Sequence, residues 1–301
     1  MSLITIVSVK RLARSLIQND LAFGITDTIF GLVPHRRVLG ESDFVKRKLD
    51  KIPDPIILDY GSFKIQLDRN SSHDRDVYWD YLNGDYLDPL LSEVLKSYLK
   101  PGNIFLDIGA NNGFFSLLAS PLVGRNGIVC AFEPSAKTFE RMKNNFNLNG
   151  FKNIKSFNVA LGNQSGIRTF YDFGTVDGSN SMVKMRGGQA KKVNIDTLDN
   201  VLRERGIKPD VVKIDVEGFE KEVLEGGSES ILNSSHMILI IEYNRHILRK
   251  KGEPYSMVIN LLVENGFEIR EMNEIEKKVM PNLVHNHKDV NPWGCNLFAT
   301  K

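Results

Sequence analysis

The sequence predicts an α/β fold: a mostly parallel sheet covered by helices on both faces. Three observations carry this. From Asn103 onward, short apolar runs alternate with segments of helical periodicity. One run, Ile104 to Ile108, leads into Gly109-Ala110-Asn111-Asn112-Gly113 and then into the helix-like Phe114-Phe115-Ser116-Leu117-Leu118-Ala119. Strand, glycine loop and helix form the opening unit of a nucleotide-type fold. The next run ends on an acid, Glu133, 20 residues beyond Gly113.

Taken in order, the chain starts with an apolar stretch, Leu3 to Val9, followed by Lys10, Arg11 and Arg14. A signal peptide carries its charge ahead of the apolar part, so this order does not fit one. The stretch is also shorter than the roughly 20 apolar residues of a spanning helix. A helix packed on the main domain or in a homodimer is expected, with surface attachment to a membrane left open. Residues 40–55 read as a charged, proline-bearing linker. Ile56-Ile57-Leu58 and Phe63 to Leu67 flank Asp59-Tyr60-Gly61-Ser62 as a hairpin. Residues 71–81 begin with capping residues and carry Val77, Tyr78, Trp79 and Tyr81, a short helix that either lids a site or fills a core. Residues 89–99 have helical spacing and stop at Pro101-Gly102. Residues 1–70 are thus an extension, and 71–301 the main domain.

In the main domain, strands are expected at 104–108, 128–132, 154–159, 211–214, 237–241, 267–270 and 296–299. Helices are expected at 114–123, 136–149, 197–205, 219–225 and 254–264. The right-handed crossover then puts the loops after the parallel strands on one edge of the sheet. Residues 166–194 break the rhythm and read as an inserted hairpin.

Composition sets limits. The chain has 301 residues, 42% hydrophobic and 25% charged, with net charge +2. No strong field for nucleic acid or membrane follows from that balance. The two cysteines, Cys130 and Cys295, sit in strand-like contexts without metal-type spacing. Reduced thiols and a cytoplasmic protein are expected.

The chemistry is concentrated at strand ends. The Gly109–Gly113 loop lacks the G-x-G-x-x-G spacing of dinucleotide sites, and Asp107 precedes it. A carboxylate there repels a pyrophosphate and suits a cationic ligand such as S-adenosylmethionine. Asp107, Gly109, Asn111, Asn112 and Gly113 are the expected cofactor contacts, and Glu133 fits as acceptor for ribose hydroxyls. Asn158 can pair with an adenine edge, with small Ala160 leaving room for the ring. Strand-end turns explain those two equally well. The fourth strand ends in Asp215-Val216-Glu217-Gly218, the fifth in Glu242-Tyr243-Asn244-Arg245-His246. Neighbouring strand ends would bring Asp215, Glu217, Glu242 and Asn244 together.

Other candidates have plainer readings. Ser179, Asn180 and Ser181 fit either a contact loop or a surface turn. Asp196 and Asp199 fit helix capping. His285 and His287 fit a solvated pair better than a metal site.

The segments FLDIGANNGFFS (105–116), AFEP (131–134), NVALGN (158–163), TLDNVL (197–202) and KIDVEGFEKEVLEGG (213–227), in this order, resemble the FkbM-type S-adenosylmethionine-dependent methyltransferases. The resemblance covers roughly residues 86–299. It implies a class I, Rossmann-like methyltransferase fold whose seven-stranded sheet ends in an antiparallel strand, matched by Asn296 to Ala299. It also implies methyl transfer, most often to oxygen, on sugars, glycolipids or secondary metabolites. The expected acceptor is therefore a small molecule or glycan. Asp215 is the first choice for a general base, with His246 second and Glu242 beside them. A divalent cation held by Asp215, Glu242 and Asn244 is a less favoured alternative. An RNA or protein methyltransferase and a silent cofactor-binding protein are the remaining alternatives.

Overall fold

The structure, a computed structural model, describes residues 47–174, 180–184, 187–273, 276–291 and 294–301. The apolar stretch Leu3 to Val9, the helix expected after it and Ser179 lie outside the described residues.

The described residues divide into two compact units, 47–58 with 66–89, and 59–65 with 90–301. In the first unit, helix α1 (Ser72–Leu82) is capped by Ser71, whose hydroxyl accepts from Asp74 N–H at 3.0 Å. Asp74 is fully buried and accepts from Asp68 N–H at 2.7 Å. Arg69 donates to the carbonyls of Leu49 and Ile52 at 3.3 and 3.0 Å, tying residues 49–52 to the segment before α1. Strands β1 (Ile56–Asp59) and β2 (Lys64–Leu67) form a two-stranded sheet. Its turn has the expected chemistry, with Asp59 Oδ1 accepting from Gly61 N–H at 2.8 Å.

Helix α2 (Pro89–Tyr98) follows, and the second unit is built on one eight-stranded sheet. Its strands are β3 (Ile104–Ile108), β4 (Ile128–Phe132), β5 (Ile154–Phe157), β9 (Val211–Ile214), β10 (Ile238–Tyr243), β11 (Glu268–Asn273), β12 (Lys278–Leu283) and β13 (Cys295–Thr300), in the spatial order β12-β11-β13-β10-β9-β3-β4-β5. The pairs β10–β9, β9–β3, β3–β4 and β4–β5 are parallel, and β13 runs antiparallel to β10 and β11. All seven expected strands are present. The eighth, β12, extends the edge beyond β11. Its Pro281 falls in the irregular part of the β11–β12 pairing, between Val279 and Leu283. A proline is tolerated there because an edge strand leaves one side unpaired.

The central strands are buried on both faces, as parallel strands under helices must be. All four residues of β9 are buried. Helices α3 (Phe114–Val123), α4 (Ala136–Asn149), α5 (Leu198–Arg203), α6 (Glu220–Gly226), α7 (Arg245–Lys251) and α8 (Met257–Glu264) follow their strands. The insertion is β7 (Gly166–Asp172) antiparallel to β8 (Gln189–Asp196), with short β6 (Ala160–Leu161) on the other side of β8. Asp199 accepts from Glu229 and Ser230 N–H, both at 2.9 Å, so it binds a turn rather than a ligand. Cys130 and Cys295 are free thiols. Among the described residues, no helix is long and apolar enough to cross a membrane.

Candidate active site

The chain leaves β3 toward β4 and β5 on one side and returns through β9 and β10 on the other. Loops at the carboxyl ends of β3 and β9 diverge at this switch, where open α/β sheets bind ligands.

The β3 loop is held from both sides. Gly109 and Ala110 N–H donate to the Phe132 carbonyl at 3.1 and 2.9 Å. Gly109 has φ +79°, and a Cβ there would lie 1.8 Å from the Asp215 carbonyl oxygen. The loop therefore crosses the end of β9 at a distance only glycine permits. Gly113, at φ +87°, faces the side chains of Phe146 and Met142 instead. Asn111 also has positive φ, +49°. Its Oδ1 accepts from Arg141 at 3.0 Å. Asn112 is fully buried, accepts from Phe114 N–H at 3.1 Å in the turn that leads into α3, and receives Asn145 on its carbonyl at 2.9 Å.

Glu133 ends β4 and is 6% exposed. Its two carboxylate oxygens accept from Asn111 N–H at 3.1 Å and Ser135 N–H at 2.9 Å, which ties the β4 loop to the glycine loop. Asn158 donates to the Glu133 and Pro134 carbonyls at 2.9 and 3.1 Å. Its amide hydrogens thus brace the Glu133 turn. Ala160 is buried at the start of β6.

Beneath the loop lies an ion cluster. Asp107 is fully buried and accepts from Ser116 Oγ at 2.7 Å. Lys213, 3% exposed, places its Nζ 3.6 Å from Asp107 Oδ1 and 3.2 Å from Asp215 Oδ2. Its ammonium also lies 5.2 Å from the Phe115 ring centroid. Burial alone would lower the Lys213 pKa. Asp215 and Asp107 outweigh it and hold the group above the ordinary lysine value.

The Asp215–Gly218 turn is strained and braced. Glu217 has φ +52°, rare for a residue with a side chain. Ser181 Oγ donates to its carbonyl at 2.6 Å. Glu220 Oε1 accepts from Val216 and Gly218 N–H at 3.3 and 3.0 Å. Carboxylate oxygens of Asp215, Glu217 and Glu242 lie within 4.8 Å of one another. Asn244 does not join them through its acceptor oxygen, which caps α7 by accepting from Ile247 N–H at 3.3 Å. His246 is exposed on α7.

Burial, with Glu217 and Asp215 nearby, pushes Glu220 up to about 7 from the usual 4.5. Between those values the folded chain binds a proton the unfolded chain has released, so stability falls as pH rises. Urea unfolding should show a loss of up to about 3 kcal/mol between about pH 5 and pH 8. Glu220→Gln should flatten that slope, and an unchanged slope in the variant would contradict the assignment.

The principal residue that sequence reasoning missed is Lys213. The signal was present: a lysine inside the otherwise apolar run Val211-Val212-Lys213-Ile214 needs a buried partner.

The Methyltransferase FkbM domain matches residues 107–269. The chain is 29% identical over 205 residues to Methyltransferase sdnD of Sordaria araneosa, covering 56% of this chain and 75% of that one. It is 25% identical over 211 residues to Hexuronic acid methyltransferase AglP of Haloferax volcanii, covering 68% and 82%. It is 24% identical over 187 residues to 2-O-methyltransferase NoeI of Sinorhizobium fredii, covering 56% and 75%. A solved Methyltransferase FkbM from Methylobacillus flagellatus aligns at TM-score 0.43 and 14% identity, over 77% of this chain and 55% of that one. The matched domain begins at Asp107 and runs through the glycine loop, Glu133, Lys213, Asp215 and Glu242. The chain belongs to the FkbM family of S-adenosylmethionine-dependent methyltransferases.

Proposed function

We propose that the enzyme methylates a hydroxyl group on a sugar or small metabolite. The observation that carries this reading is the convergence of Asp215, Glu217 and Glu242 beside the glycine loop. Carboxylates gathered there supply proton acceptors for a hydroxyl that must lose its proton. Two of the related proteins are named for methylation of a hexuronic acid and of a 2-O position.

The residues suit the cofactor. The loop between Gly109 and Gly113 brings bare backbone to the crevice, and Glu133 faces that loop with one oxygen while the other holds Ser135. Glu133 is the acceptor we assign to the ribose hydroxyls. Gly109, Asn111 and Gly113 would line the nucleoside, with Asn158 and Ala160 at the base edge. Asp107 and Asn112 support the loop from below, since both are fully buried. S-adenosylmethionine, when bound, supplies a methyl group on a sulfonium whose departing thioether is neutral and needs no acid.

The chain's own residues then position the acceptor and take its proton. Positioning provides most of the benefit. Asp215, 40% exposed at its side chain, takes the proton, and Glu242 is close enough to share it. His246 is the alternative acceptor from α7. Lys213 provides the positive charge beside Asp215 that a divalent cation would otherwise provide, so turnover should resist chelators. The two free thiols suit a reducing compartment.

Asp215→Asn tests this reading. Turnover of a labelled methyl group should fall about 10²- to 10⁴-fold. Calorimetric affinity for S-adenosylmethionine should stay within about threefold, a difference below about 1 kcal/mol. Equal turnover in the variant would remove Asp215 from the reaction.

A further inference from the structure

Arg245 opens α7, three residues beyond Glu242. Its guanidinium carbon lies 4.6 Å from the centroid of the Tyr255 ring. Tyr255 is itself anchored, because Tyr243 Oη donates to its carbonyl at 2.7 Å. The imidazole of His287 lies on the same tyrosine at 6.1 Å between centroids. Arg245 Nε and His287 Nδ1 are both buried without a hydrogen-bond partner among the described residues. No carboxylate forms a salt bridge with Arg245 among the described residues. Glu222 of α6 and Glu253, just after α7, pair with Lys251 at 2.5 and 3.1 Å.

This is an unusual state for an arginine. A guanidinium stacked on an aromatic ring has its plane fixed, and its amino ends form a preset fork for two oxygens. Such a fork beside a methyl-transfer site has no structural bond to lose and lacks only an anion. Its link to the reaction is its place in the fold. Arg245 follows directly on the carboxyl end of β10, the strand that carries Glu242, so both stand at the same edge of the sheet.

We infer that Arg245, set by Tyr255 and flanked by His287, binds a carboxylate on the methyl acceptor, so that the acceptor is an acidic sugar or acidic metabolite. The inference rests on the hydroxyl-methylating reading above and adds the acceptor's charge. The acid group is held by the arginine while a hydroxyl of the same molecule is presented to Asp215 and Glu242. Losing such a charge-assisted pair should raise KM about ten- to hundredfold.

The test supplies wild-type enzyme with methyl-labelled S-adenosylmethionine and a metabolite and glycan extract of the native cells, then separates products on an anion exchanger at neutral pH. The expected result is label retained as an anion. In Arg245→Gln that retained label should be lost, with S-adenosylmethionine affinity unchanged as the control for folding. Arg245→Lys should recover only part of it, because an ammonium keeps the charge without the fork. Label in the neutral fraction would overturn the inference and leave the functional reading standing. Retained label at equal rates in Arg245→Gln would overturn the assignment to Arg245. No label in any fraction from a cofactor-binding enzyme would overturn the functional reading and this inference with it.

Discussion

Gly109→Ala should abolish cofactor binding while leaving most of the fold intact. The new Cβ would stand 1.8 Å from the Asp215 carbonyl oxygen, and that atom is backbone. Asp215 cannot swing aside as a side chain would, because its N–H is bonded to the Ile108 carbonyl at 3.0 Å. Gly109 is fixed as well, since its own N–H holds the Phe132 carbonyl at 3.1 Å. The φ of +79° adds strain that any side chain would feel. Overlap of this kind plus the left-handed backbone amounts to about 3 kcal/mol or more. Relief comes by pushing the loop away from β9, which separates the glycine turn from Asp215. Calorimetry should then show affinity for S-adenosylmethionine weakened by at least about 100-fold. Gly113→Ala should be milder, because its Cβ would meet the side chains of Phe146 and Met142, at 2.6 and 2.9 Å, which can shift. Equal losses at the two positions would contradict this contrast.

Lys213→Met should be the most destabilising change at the site. The two pairs it breaks are unequal. Asp215 is the nearer partner at 3.2 Å, but its side chain is 40% exposed and water screens it. Asp107 is farther, at 3.6 Å, yet both side chains are buried. The longer contact therefore matters more. Without Lys213, Asp107 keeps only the Ser116 hydroxyl, and a buried carboxylate loses its counter-charge. Removal of one partner of a buried pair costs about 3–5 kcal/mol. Urea unfolding at neutral pH should show that loss. Asp107→Asn added to Lys213→Met should recover part of it, since the double variant buries no lone charge. A single variant within about 1 kcal/mol of wild type would mean that the cluster is not what ties β3 to β9.

How much of this was legible depended on distance along the chain. The glycine loop, the acid before it and Glu133 could be read because each is a local pattern next to an apolar run. The central strands could be read because parallel strands under helices are continuously apolar. Edge elements were harder. β12 holds Pro281 and mixed polarity, and only its edge position makes that acceptable. Helix α7 is short and mostly charged, so its periodicity is weak.

Two site candidates have partners that a local reading of the sequence passes over. Asn244 looked like a ligand among acids, yet it stands before Arg245-His246-Ile247-Leu248 as a helix cap, a local signal that outranks the distant one. Asp107 looked like a direct contact because its strand ends in the crevice. The partner that draws it inward, Lys213, lies on another strand. Arg245, Tyr255 and His287 come from separate parts of the chain, and no spacing rule joins them.

The central claim is that the Gly109–Gly113 turn and Glu133 form one preset cofactor site. Calorimetric titration of the wild-type protein with S-adenosylhomocysteine, the demethylated product, tests it most directly. The account predicts saturable binding at one site per chain. Absence of any heat of binding from folded protein would contradict it.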